Sequence, residues 1–296
     1  MLALITGRGA LPGAVARAQD TAPLVCALDG HHPDGLVPDL SFRIEHLGSL
    51  VADLKARGVA QVCLCGAITR PAIDAAAIDA ATLPLVPVLA GAIAGGEDSA
   101  LRAVLGIFEE AGLEVRGAHE LAPELLPPAG AMTDARPEQT LERDLAAARA
   151  TLEEQGRADL GQACVVRGGV VIAQEGASGT DAMLAGLVER PGGTPSSDPL
   201  FSAFDAVGDM LDSAADWLSG PVAEQRAQGR GGFLFKAPKP DQDRRVDLPT
   251  IGPETARAVV AAGLDGIVIE AQGVIVLDQP RVRQILDDAG AYCWVR

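Results

Sequence analysis

The chain has 296 residues, 48% of them apolar and 22% charged, and 40 acidic against 24 basic residues leave a net charge of −16. This is the composition of a soluble globular protein long enough for two domains, and its acidity excludes nucleic acid as a main partner and broad adhesion to an anionic membrane. The five cysteines include no CxxC pair at zinc spacing, the N-terminal residues read as no signal peptide, and no run approaches the ~20 apolar residues that span a bilayer, so a reduced cytoplasm is the expected compartment.

Leu2 to Thr6 is an apolar run that reads as a first strand, and Gly7-Arg8-Gly9-Ala10-Leu11-Pro12 reads as a glycine turn before a helix from Pro12 to about Gln19. Strand, glycine turn and helix open nucleotide-binding α/β domains, because glycine lets backbone approach phosphate or ribose. Leu24 to Leu28 reads as a second strand that leaves in a polar turn. His31 and His32 in that turn could bind metal, but no carboxylate or cysteine lies at a fitting spacing, and a solvated turn is expected. Phe42 to Ile44 reads as a short strand, Leu50 to Arg57 as a helix closed by Gly58, and Val59 to Cys65 as a buried strand with Cys63 and Cys65 on one face. Arg70 follows that strand, at the end where open α/β sheets bind ligands. Residues 72–96 show no usable period. Asp98 to Ala111 has helical spacing at Leu101, Val104, Leu105 and Phe108, and Leu113 to Arg116 reads as a strand. The Pro- and Gly-rich stretch from Pro123 to Pro137 marks a domain boundary, and Glu138 to Glu154 reads as a bridging helix.

In the second half, Ala163–Arg167 and Val170–Gln174 are apolar runs joined by Gly168-Gly169, a hairpin signal. Glu175 closes the hairpin, and Gly179-Thr180-Asp181 opens a helix to about Val188, with Thr180 as a cap and Asp181 suited to the helix dipole. Residues 191–199 read as a loop and 200–218 as an amphipathic helix with an acidic face. Gly232 to Phe235 is a buried strand, Thr255 to Ala262 a helix ended by Gly263, Gly266–Glu270 and Val274–Leu277 strands, and Tyr292–Val295 a final strand after a helix opened by Pro280. The fold class is α/β, with an N-terminal Rossmann-like domain (1–130), a linker helix within 131–158, and a C-terminal α/β catalytic domain (159–296) of mixed strand pairing.

Between Lys236 and Pro253 the chain gathers two lysines, two arginines and three aspartates, stiffened by prolines that forbid regular helix. Lysine and arginine suit phosphate oxygens, and aspartates suit a hard cation such as Mg²⁺. Gly252-Pro253 starts a helix whose free backbone N–H groups attract an anion.

The stretch Lys236-x-Pro238-Lys239-Pro240-x-Gln242-Asp243-x-Arg245-x-Asp247-x-Pro249-x-Ile251-Gly252-Pro253-x-Thr255 resembles the signature of the UDP-2,3-diacylglucosamine pyrophosphatases of the LpxI type. Gly7-x-Gly9-x-Leu11-Pro12, Gly66-x-x-x-Arg70-Pro71, Asp159-x-Gly161-Gln162 and Gly179-Thr180-Asp181-Ala182-Met183 resemble the same family in the same order. The resemblance implies a Mg²⁺-dependent hydrolase of Gram-negative lipid A synthesis. Such an enzyme cleaves the diphosphate of UDP-2,3-diacylglucosamine by water attack on the α-phosphorus, giving UMP and 2,3-diacylglucosamine 1-phosphate. The chain departs from the family where Ser178 replaces the second glutamate of Glu-x-x-Glu-Gly-Thr-Asp, and where Pro191 to Gln228 is longer than usual.

On this resemblance, Asp243 and Asp247 bind Mg²⁺ or activate water, with Glu175 a further metal carboxylate. Lys236, Lys239 and Arg245 stabilise the diphosphate, and Gln242 orients a phosphate or water. Gly7, Gly9, Leu11, Arg70, Gln162, Thr180, Asp181 and Gly252 are the expected substrate contacts. The lipid-linked nucleotide sugar implies transient contact with the inner membrane, and the family suggests a homodimer. Two rivals stand beside this reading. A non-catalytic nucleotide-sugar or lipid carrier would need the basic residues but not the aspartates. A nicotinamide oxidoreductase would use the first glycine turn with Asp29 as its ribose-binding acid.

Overall fold

The computed structural model describes residues 1–69, 73–94, 97–137, 141–158, 160–188, 231–240 and 242–296. Arg70, Asp159 and the loop and acidic helix expected over 191–218 lie outside the described residues. The chain divides into two compact units, Met1–Leu126 with Asp241–Thr250, and Pro127–Pro240 with Ile251–Arg296.

In the first unit, β1 (Leu2–Thr6) leads through α1 (Leu11–Arg17) to β2 (Leu24–Leu28), then β3 (Leu40–Phe42), α2 (Leu47–Ala56) and β4 (Gln61–Cys65). Next come α3 (Val86–Ala94), α4 (Glu97–Glu110), β5 (Glu114–Val115) and the one-turn α5 (Ala118–Leu121). The sheet order is β3-β2-β1-β4-β5, with every pairing parallel. This is the beginning of the Rossmann order, with its switch point between β1 and β4. Ala3, Ile5 and Val62 alternate toward one face and pack with Leu50, Leu54, Leu105 and Phe108 from α2 and α4. Cys63 and Cys65 are both buried, as the alternation in β4 requires. Val246, some 120 positions from the end of Met1–Leu126, packs against the same cluster.

In the second unit, β6 (Gly130–Ala131) and α6 (Leu141–Arg157) precede the hairpin β7 (Ala163–Arg167) and β8 (Val170–Gln174). Gly168 and Gly169 both take positive φ, 59° and 84°, the geometry of a tight hairpin turn that favours glycine. Then follow α7 (Gly179–Val188), β9 (Phe233–Lys236), β10 (Thr250–Ile251, whose first residue is the last of Asp241–Thr250), α8 (Pro253–Ala261), β11 (Gly266–Ile269), β12 (Ile275–Val276), α9 (Gln279–Asp288) and β13 (Tyr292–Val295). The six-stranded sheet runs β6-β13-β11-β9-β7-β8, parallel across β13, β11 and β9 and antiparallel elsewhere. β12 pairs with β10 rather than extending this sheet.

Both faces of that sheet are covered. Phe233, Phe235 and Val268 pack with Leu141, Leu145, Ala148 and Leu152 of α6. Leu234, Ile267 and Ile269 pack with Leu184, Ala256, Val259, Val282 and Leu286 of α7, α8 and α9. Burial on both faces is why β9 and β11 read as continuous apolar runs. The division therefore differs from the one expected. The helix expected as a linker is a structural layer of the second unit, because its apolar stripe is buried on the sheet. Residues 241–250, expected within a catalytic domain of 159–296, belong to the first unit.

Candidate active site

The turns after β1, β2 and β4 meet at the C-terminal edge of the first sheet. Gly7 donates to the Cys65 carbonyl (2.9 Å), Arg8 to Ala67 (2.8 Å) and Ala67 back to Arg8 (2.9 Å). The Arg8 guanidinium donates to the Gly30 carbonyl at 2.9 and 3.2 Å. A Cβ on Gly7 would stand 2.4 Å from the Ala67 carbonyl oxygen, so only glycine fits this crossing. These contacts occupy two amides of the glycine turn, Gly7 and Arg8, which a pyrophosphate would otherwise recruit. The dinucleotide reading is correspondingly weakened. Gly9 holds a positive φ of 93°, and Leu11 begins α1.

His31 is 5% exposed and is no solvated turn residue. Its Nε2 accepts from the Thr69 backbone N–H (3.1 Å) and lies 2.8 Å from the Thr69 hydroxyl. A backbone N–H only donates, so Nε2 carries no proton, and Nδ1–H donates to the Asp29 carbonyl at 3.1 Å. Neutral His31 thus ties the turn after β2 to the loop after β4. Sequence reading missed it because the partner stands 38 positions away.

In residues 241–250, Asp243 and Arg245 form a clamp. Arg245 Nε donates to Oδ1 (3.0 Å) and its terminal nitrogen to Oδ2 (2.7 Å), while the Arg245 backbone N–H also reaches Oδ1 (3.0 Å). A second guanidinium nitrogen donates to Glu109 Oε1 at 2.5 Å. The Arg245 hydrogen bonds hold the Asp243 carboxyl below the usual carboxylate range, against the opposing effect of burial. Asp243 also accepts at its carbonyl from Val246 and Asp247 N–H (3.1 and 3.2 Å), folding the loop into a turn. Gln242 and Asp247 are half-buried in the same segment. His119 in α5 was not anticipated. Its Nδ1 is buried without a hydrogen-bond partner, and burial, then the Arg244 charge, lower its pKa.

The second unit brings together Gln162, Glu175, Thr180 and Lys236. Lys236 ends β9 and is 8% exposed, and its ammonium donates to Thr180 Oγ1 at 2.9 Å. Thr180 donates to Glu175 Oε1 (2.6 Å), and Glu175 Oε2 accepts the Gln162 N–H (2.6 Å). Asp181 is exposed in the first turn of α7, Lys239 is half-buried beside Gly156, and Gly252 caps α8 in extended backbone.

Of the expected metal carboxylates, Glu175 accepts one hydrogen bond on each oxygen within its own unit, from Thr180 and from the Gln162 N–H. Among the described residues no group of three or more His, Cys, Asp or Glu side chains is arranged as a metal cage. Mg²⁺ takes one or two carboxylates and completes its shell with water and substrate phosphate, so a larger cage is not a requirement for Asp243 and Asp247. The Arg245 bonds take two positions on Asp243 Oδ1 and one on Oδ2, which leaves one of the about four acceptor positions of a carboxylate, on Oδ2. Burial pushes the thiols of Cys26, Cys164 and Cys293 up to about 12, which rules them out as thiolate nucleophiles near neutral pH. No described helix is long and apolar enough to cross a membrane.

The LpxI N-terminal domain matches residues 1–125, and the LpxI C-terminal domain matches residues 128–294. The chain is 36% identical over 296 residues to the UDP-2,3-diacylglucosamine pyrophosphatase LpxI of Caulobacter vibrioides, with 98% of this chain and 95% of that protein aligned. With both halves matched and nearly every residue aligned, the chain belongs to the LpxI family.

Proposed function

We propose that this protein hydrolyses the diphosphate of UDP-2,3-diacylglucosamine, a step of lipid A synthesis, releasing UMP and 2,3-diacylglucosamine 1-phosphate. The observation that carries the reading is the near full-length match to a pyrophosphatase of that substrate. The Asp243–Arg245 clamp within the signature stretch adds chemical support. Asp243 is a poor proton acceptor near neutral pH, because Arg245 favours its ionised form. It suits cation binding instead. Arg245 is committed to Asp243 and Glu109, so it orients the carboxylate, and countering diphosphate charge falls to Lys236 and Lys239. Mg²⁺, held by Asp243 and Asp247 with phosphate oxygens, would supply Lewis-acid polarisation of the reacting phosphorus. Gln242 orients phosphate or water. We assign the protein to the cytoplasm as a homodimer that touches the inner membrane only through its lipid substrate.

The test is turnover of UDP-2,3-diacylglucosamine in ¹⁸O-water, with Mg²⁺ and with EDTA. The expected result is UMP released only with the metal and carrying the label, since attack at the α-phosphorus leaves the water oxygen on UMP. Label in the sugar phosphate would overturn the site of attack, and equal release in EDTA would remove the metal. Asp243→Asn should fold and lose about a hundredfold or more in kcat. A bound, uncleaved nucleotide in the wild type would establish a carrier instead.

A further inference from the structure

We infer that Glu175 is a positioning residue, which acts through the Thr180 hydroxyl to hold and aim the Lys236 ammonium. The inference rests on the proposed reaction for its kinetic consequences but on hydrogen-bond direction for its substance. Lys236 is 8% exposed, and a buried ammonium is costly unless it is hydrogen-bonded and its charge is answered nearby. It donates to Thr180 Oγ1 at 2.9 Å. An ammonium can only donate and a carboxylate can only accept. The Thr180 hydroxyl therefore accepts from Lys236 and sends its own proton toward Glu175 Oε1, 2.6 Å away. That short distance is typical of a hydroxyl donating to an ionised carboxylate.

Glu175 is in turn fixed on its own backbone. Its N–H donates to the Ala163 carbonyl (2.9 Å), and its carbonyl accepts from Gln155 Nε2 (3.0 Å). Its second carboxylate oxygen takes the Gln162 N–H at 2.6 Å. The carboxylate at the end of β8 thus orients one hydroxyl on α7, and that hydroxyl oxygen holds the ammonium of the last residue of β9. The carboxyl ends of parallel strands such as β9 and β11 are where α/β sheets place ligand contacts. Thr180 would then serve Lys236 rather than bind substrate, and Glu175 would serve Thr180 rather than a metal.

The experiment compares full-length Glu175→Gln, Thr180→Val, Thr180→Ser and the Glu175→Gln/Thr180→Val pair, with Lys236→Ala as reference. With UDP-2,3-diacylglucosamine and a Mg²⁺ titration, the first two should each lower kcat by about ten- to a hundredfold, the size expected when an active group is misplaced by about 1 Å. The pair should be no worse than the poorer single variant, because both break one chain. Thr180→Ser should recover most of what Thr180→Val loses, and the Mg²⁺ concentration for half-maximal rate should not move. A Glu175→Gln enzyme whose half-saturating Mg²⁺ rises and whose kcat returns at high Mg²⁺ would make Glu175 a metal ligand and overturn the inference. Independent, multiplying losses in the pair would overturn it equally. A second readout needs no substrate: the ¹⁵N-lysine ammonium signal of Lys236. It should be sharp and slow to exchange in the wild type and in Thr180→Ser, and lost in Thr180→Val and Glu175→Gln. If the nucleotide is not cleaved at all, the proposed reaction fails while this signal still decides the relay.

Discussion

Asp243 and Glu45 show one device used for two ends. Each carboxylate is held by an arginine two residues away, Arg245 and Arg43 respectively. Asp243 lies in the signature segment, where a carboxylate biased toward its ionised form can serve a cation. Glu45 is 3% exposed and accepts from Arg43 at 3.0 and 3.2 Å and from the Asp74 N–H at 2.8 Å, so its task is to fasten the loop at 74 to the start of the α2 region. The Arg43 bonds, followed by those from backbone, push its pKa down to about 2. A depressed folded-state pKa stabilises the fold above the ordinary carboxylate range, and this contribution is lost as pH falls toward the folded value. The stability gap between wild type and Glu45→Gln should therefore be full at neutral pH and shrink from about pH 4.5 down to about 2, when followed by urea unfolding at stepped pH. A gap that stayed constant over that window would show that the carboxylate charge is not what fastens the loop.

At the scale of elements, the turns after β1 and β4 cross with no room for a side chain at Gly7. Gly7→Ala would drive a methyl to 2.4 Å from the Ala67 carbonyl oxygen, a backbone atom that cannot swing aside. We expect a loss of about 1–3 kcal/mol in chemical denaturation, the usual cost of overpacking. An unchanged midpoint would mean that the two turns can separate freely. The glycine turn itself was legible from sequence, since strand, glycines and helix stand in a row. So were β1, β2, the β7–β8 hairpin and α7, whose bounds coincide with their apolar runs and turn glycines. What was not legible depends on partners distant in the chain. His31 looked solvated because Thr69 cannot be seen from its neighbours. Residues Val86–Ala94 form a helix, yet the run VPVLAGAIA has no polar face to give it a period. β12 lies inside the run Val274–Leu277 that reads as a strand, but its partner β10, two residues long, is too short to leave a pattern.

For the whole molecule, the main surprise is where the signature stretch belongs. Read along the chain it is one continuous motif, and local pattern gives no reason to cut it. The structure assigns Lys236 to Pro240 to the second unit, Asp241–Thr250 to the first, and Ile251 onward to the second again. The physical reason is visible in two side chains. Val246 packs on the cluster of Ile5, Val62 and Leu105, and Arg245 pairs with Glu109 of α4. A short segment can be captured in this way because one apolar contact and one guanidinium bond to Glu109 suffice to fix a loop that prolines have already stiffened. Val246→Asp tests the assignment. A carboxylate forced against that cluster should cost the first unit about 1–3 kcal/mol, or raise local opening roughly five- to a hundredfold. Hydrogen exchange read by mass spectrometry should then show faster exchange in Leu2–Thr6 and Gln61–Cys65. Phe233–Lys236 and Gly266–Ile269 should keep their protection. The reverse pattern would return residues 241–250 to the second unit. Loss of protection in all four strands would mean that the two units unfold as one and that the segment's allegiance has no energetic weight.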